Sequence, residues 1–134
     1  MKRTIQILSL ISVVFFLSLA VSAQTRVNFA PGATSKTMTG QMNGLQSTRV
    51  YIIRVKRGQT MAIEQVGGGS HSITISEILD PAGNDVSDMD ASCNNRMEIS
   101  PTKSGDYRVT VQECTKVDEW RGTYKLRFQV ASDL

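Results

Sequence analysis

Histidine is nearly absent from this chain, His71 being the only one among 134 residues. A metal site or a nucleophile and base pair built on imidazole has no partner set. No serine sits in a Gly-x-Ser-x-Gly elbow or has an orienting acid assigned to it. Cysteine is also scarce. Cys93 and Cys114 are the only two, and two thiols without a neighbouring histidine do not make a zinc site. The Gly67-Gly68-Gly69 tract opens no helix and lacks the Lys and Ser or Thr of a phosphate loop. Glu113, Asp118 and Glu119 have no spacing that marks a catalytic carboxylate pair. Together these absences point away from an enzyme and from any cofactor or resident metal.

Charge of one sign is lacking too. The formal charge is +3, from 15 Lys and Arg against 12 Asp and Glu. Lys2 and Arg3 lie at the very start, so the rest of the chain sets 13 cations against the same 12 acids, a formal +1. The cations are mixed with acids except in the short stretch Arg54, Lys56, Arg57. A nucleic-acid partner, which needs a basic face or stripe, is therefore not expected. The densest acidic stretch, Asp80, Asp85, Asp88 and Asp90, does not have the spacing of an EF-hand. It reads as a solvated loop, with calcium binding or charge steering towards a basic partner as the other uses.

Met1 to Ala23 is different in kind. Lys2 and Arg3 give a positive start, Ile5 to Ala20 an apolar run, and Val21-Ser22-Ala23 a small-residue cleavage site before Gln24. About 16 apolar residues are short for a bilayer, which takes about 20. The reading is a signal peptide over 1–23 and one domain over 24–134, periplasmic or secreted, with no stable membrane insertion after cleavage. In an oxidising compartment Cys93 and Cys114 are expected to form a disulfide. Closing that loop stabilises by about 3 kcal/mol on the chain-entropy estimate. Both cysteines flank an expected hairpin but fall on opposite parities if Met97 and Ile99 face inward with Tyr107, Val109 and Val111. A bulge or irregular end must then intervene.

After Gln24 helical periodicity is scarce and period-2 alternation recurs. Strands are expected at Arg26 to Phe29, Lys36 to Met42, around Tyr51 to Val55, around Met61 and Ile63, Ser72 to Leu79, Arg96 to Ser100, Asp106 to Cys114 and Tyr124 to Val130. Arg57-Gly58-Gln59 reads as the turn of a hairpin, and Asp80-Pro81-Ala82-Gly83-Asn84 as a strong turn. The fold class is all-β: a jelly-roll-like antiparallel β-sandwich of about eight strands.

Several short motifs follow one another along the chain: Val27-Asn28-Phe29-Ala30-Pro31-Gly32 with Thr34-Ser35, then Gly40 and Gly44, and Tyr51 leading to Gly58-Gln59. Asp80-Pro81-Ala82-Gly83, Ser104-Gly105-Asp106-Tyr107 and Tyr124-x-Leu126-x-Phe128 follow. With these the chain resembles the pre-peptidase C-terminal type of bacterial β-sandwich, in the variant seen in periplasmic inhibitors of goose-type and invertebrate-type lysozymes. The resemblance implies a protein partner, a lysozyme, whose cleft is blocked by a Ser-Gly-x-Tyr loop. Ser104 and Tyr107 become candidate contacts, with Lys103 as a neighbouring cation for the enzyme's carboxylic acids. Tyr107 also shares the parity of Val109 and Val111, which makes it a core residue on the alternation alone.

Before the final strand the resembling inhibitors tend to be arginine-rich, whereas Thr115 to Thr123 is mixed in charge. Trp120 and Arg121 in this stretch form a second candidate surface, Trp120 reading either as an exposed anchor or as a cap on the sandwich edge. The rival function is a general module of the same fold that binds a cell-surface polysaccharide or another protein.

Overall fold

The computed structural model describes residues 24–44, 47–69, 72–88, 93–114 and 119–132. The expected signal peptide, His71, Asp90, Lys116 and Asp118 lie outside them. Eight strands are present among the described residues: β1 (Gln24–Val27), β2 (Ser35–Asn43), β3 (Thr48–Val55), β4 (Gln59–Gly67), β5 (Ile73–Leu79), β6 (Arg96–Ile99), β7 (Gly105–Glu113) and β8 (Arg121–Ser132). They form two four-stranded sheets, ordered β1-β3-β7-β5 and β2-β8-β4-β6. The all-β sandwich expected from the alternation is what the chain folds into. Every pairing is antiparallel except β1 with β3, which runs parallel.

Odd-numbered strands all lie in one sheet and even-numbered strands in the other. Each connection thus arches from sheet to sheet, and two expected hairpins are corrected. The Arg57-Gly58-Gln59 turn does not pair β3 with β4. Cys93 and Cys114 do not flank a β6–β7 hairpin. Gly and Pro mark where a chain turns, but not whether the turn lies in the sheet plane or across the core. That choice is made by which faces must be buried.

The core sits between the sheets and follows the alternation. Tyr51, Ile53 and Val55 on β3, Tyr107, Val109 and Val111 on β7, and Tyr124, Leu126 and Phe128 on β8 are all buried within it. The Tyr51 and Phe128 rings lie 5.4 Å apart at 54°. Tyr51 and Tyr124 join their hydroxyls at 2.6 Å across the core. Two buried hydroxyls satisfy each other, and burial pushes both phenols above their ordinary pKa. Gly40 faces Tyr124 in register, and a Cβ there would run into the tyrosine ring.

The disulfide between Cys93 and Cys114 is formed, with Cα atoms 5.2 Å apart. The parity difficulty vanishes because Cys93 is not in a strand. It has a positive φ of 53° and opens the segment that crosses between sheets. There Asn94 accepts from the Ile75 amide of β5, and Asn95 from the Gln65 amide of β4.

Candidate functional site

The strand directions bring three turns to one end of the sandwich. These are the β3–β4 turn over 56–58, the Asp80 turn after β5, and the β6–β7 loop over 100–104. Thr102, only 2% exposed, ties the first of these to the last. Its backbone N–H donates to the Gln59 carbonyl at 2.8 Å, and its carbonyl accepts from Gly58 N at 2.9 Å. The hydroxyl donates to the Lys56 carbonyl at 2.6 Å and accepts from Gln59 N at 3.0 Å. Gln59 Oε1 closes the β3–β4 turn by accepting from Lys56 N at 2.8 Å.

Asp80 ties in the other turn. Its Oδ1 accepts from Ala82 N and Asn84 N, each at 2.9 Å, while Oδ2 meets Lys103 Nζ at 3.0 Å. These bonds, the Asn84 amide first and the Lys103 ammonium next, hold the Asp80 carboxyl below its ordinary pKa. Gly105 lies against Pro81, at φ +134°, and a Cβ there would come within 2.8 Å of the proline ring.

On this end Ser104 is exposed in the loop, beside exposed Lys103. Tyr107 is 2% exposed, and its hydroxyl accepts from Lys103 N at 2.9 Å. The ring belongs to the core and its oxygen props the loop from beneath. Tyr107 therefore fixes the conformation that displays Ser104 and presents no surface of its own. The adjacent turn carries Lys56 and Arg57, both exposed. Beside it a cleft of about 240 Å³ opens between the sheets, floored by Phe29, Val55 and Val130 and rimmed by Arg54, Lys56 and Gln59.

Trp120 and Arg121 lie at the opposite end. Ser104 precedes the first residue of β7, while Glu113, its last, accepts weakly from Trp120 N at 3.4 Å. The nine residues of β7 separate the two groups by about 27 Å at roughly 3.4 Å per residue. The five candidate contacts thus form two places, Ser104, Lys103 and Tyr107 at one and Trp120 and Arg121 at the other. Trp120 is half-buried and packs on the core, its ring covering Gly122. This is the capping arrangement. Arg121 is held by Glu119 at 2.9 Å. Glu113, inward-facing and 2% exposed, leaves Oε1 without a hydrogen bond among the described residues.

Among the acids read as a possible calcium loop, Asp80 braces the turn and Asp85 accepts from Ser87 N and Oγ at 2.9 and 2.6 Å. Among the described residues no three His, Cys, Asp or Glu side chains converge. Sequence reasoning singled out Ser104 but missed Thr102, which carries no local signal between Pro101 and Lys103. The Arg54, Lys56, Arg57 stretch was visible as charge, but its tie through Thr102 to the Ser104 loop was not.

No protein-family model and no curated protein matches the sequence. The fold, however, has solved counterparts. PliG from Aeromonas hydrophila, a periplasmic inhibitor of g-type lysozyme, superposes with a TM-score of 0.64 at 21% identity, over 80% of this chain and 95% of that one. A mutant of the Escherichia coli PliG gives 0.57 at 18%, over 80% and 96%. The pre-peptidase C-terminal domain of a Bacillus anthracis collagenase gives 0.50 at 18%, over 81% and 95%. The chain has the β-sandwich fold shared by these periplasmic lysozyme inhibitors and the pre-peptidase C-terminal domain.

Proposed function

We propose that this protein is an exported inhibitor of a lysozyme and acts by placing the loops around Ser104 in the enzyme's cleft. The observation that carries the reading is the Ser104 loop itself. Ser104 is exposed in it, and the loop is braced by hydrogen bonds of Thr102 and Tyr107 and by the Lys103–Asp80 ion pair, on a fold shared with PliG proteins. Lysozymes hydrolyse sugar chains with two carboxylic acids facing each other across a groove. A rigid loop with a hydroxyl and nearby cations hydrogen-bonds those acids and blocks the sugar path. It loses little conformational entropy on binding, because the loop is ordered before contact. The Cys93–Cys114 disulfide suits an oxidising compartment such as the periplasm.

The test is lysis of peptidoglycan by hen-type, goose-type and invertebrate-type lysozymes with and without the protein spanning residues 24–134. Inhibition of at least one class is expected, with Ser104→Ala weakening it and Trp120→Ala leaving it unchanged. Loss of inhibition with Trp120→Ala alone, at an unchanged melting temperature, would move the contact to the other end of the sandwich. The likeness to the collagenase domain favours a second reading, a module for a surface polysaccharide or protein. No inhibition of any class, together with retention on peptidoglycan, would select it.

A further inference from the structure

We propose that Arg57, at the tip of the β3–β4 turn, is the cation through which this end of the molecule engages a carboxylate-lined cleft, with Ser104 as the second prong of one rigid surface. The proposal rests on the inhibitor reading and assigns its charged contact. Sequence reasoning favours Lys103 for that role, since it adjoins Ser104. Its ammonium, however, is committed to Asp80, whose side chain is only 2% exposed. Turning Lys103 towards a partner would strip a buried carboxylate of its counter-charge, a costly exchange. Arg121 is paired with Glu119 at the far end, and Arg26 is held by both oxygens of Asp106, at 3.1 and 3.0 Å.

Arg57 has no such commitment among the described residues. It is exposed, and no carboxylate among the described residues pairs with it. Its planar guanidinium can meet a carboxylate with two parallel hydrogen bonds, which an ammonium cannot do. Gly58, next to it, takes φ +79° and has nothing within 4 Å of an added Cβ, so the tip of the turn stands in open space. The turn is nevertheless fixed, because Gly58 N and Gln59 N both donate to Thr102. Thr102 lies two residues before Ser104, so the same hydrogen bonds that hold Arg57 also set its spacing from the serine. Arg54 and Lys56 flank it and add positive potential, which favours encounter with an acidic groove. Arg54 stands in register with Asp106, and Lys56 rims the neighbouring cleft.

The experiment compares the unaltered protein with Arg57→Ala, Arg57→Lys and Lys103→Ala in inhibition of goose-type lysozyme, with the hen and invertebrate types alongside. Thermal melts of each variant report folding. Arg57→Ala is expected to raise the half-inhibitory concentration tenfold or more with an unchanged melt, and Arg57→Lys to restore part of the loss. Lys103→Ala is expected to lower the melting temperature. Inhibition by Arg57→Ala within twofold of the unaltered protein overturns the assignment and leaves the inhibitor reading standing. Failure of the unaltered protein to inhibit any lysozyme overturns both.

Discussion

Replacing Thr102 by valine isolates the bond network on which the Ser104 end depends. Valine keeps the size and branching of threonine but removes the hydroxyl. Gln59 N then loses its 3.0 Å acceptor and the Lys56 carbonyl its 2.6 Å donor. The Lys56 carbonyl belongs to an exposed turn and can be rehydrated, whereas the Gln59 amide is part-buried. One stranded donor and one partly compensated acceptor cost about 2 to 3 kcal/mol. For a domain of this size that lowers the melting temperature by roughly 6 to 15 °C. Serine is the informative control, since it retains the hydroxyl and loses only a methyl group, about 1 kcal/mol. The expected order of melting temperatures, measured by circular dichroism or calorimetry, is Thr, then Ser, then Val. If burial of apolar area ruled the position, valine would melt at or above serine, and that result would refute the network argument. Because Thr102 is 2% exposed, under the proposed function any weaker inhibition by the valine variant would arise from loosened turns rather than a lost contact.

Gly40→Ala places a Cβ against the Tyr124 ring, so that the ring or β2 must shift, and an overpacking cost of about 1 to 3 kcal/mol should appear as a lower melting temperature; an unchanged melt would mean that the ring does not occupy this space. Asp80, Asp85 and Asp106 all have carboxyl pKa values held below the ordinary 3.8. Each therefore contributes stability that is fully present above that value and is lost as pH falls below it. Thermal melts from pH 7 to pH 2 should show the decline beginning near pH 4, with Asp80→Asn giving a less stable protein and a shallower acid limb. An equally steep limb in that variant would assign the acid sensitivity to other groups.

Much of the sandwich was legible because burial imposes a period of two on any strand with one face inward. Tyr124, Leu126 and Phe128 alternate with polar residues and fall in the core, as do Tyr107, Val109 and Val111. The strand ends were less legible. β8 begins at Arg121, three residues before its apolar pattern starts, because its pairing with β2 continues through Gly122 and Thr123 where no large side chain announces it. The Cys93–Cys114 pairing followed from the scarcity of thiols, but its geometry did not, since the bridging segment leaves the strand for a positive φ at Cys93. At the candidate site the Ser104-Gly105-Asp106-Tyr107 motif located the loop. It could not show that Lys103 answers to Asp80, 23 residues earlier in the chain.

The sequence by itself determined the class of fold and the residues that fill the core, because alternation, turn chemistry and cysteine count act locally or through composition. Only the tertiary structure decided that successive strands alternate between sheets, that Lys103 is bound to Asp80, and that the turn carrying Arg57 is tied to the loop carrying Ser104 while Trp120 lies at the other end. These are long-range relations between segments whose local patterns are compatible with several arrangements. They are settled by which faces can be buried together and which charges can be paired once the two sheets meet.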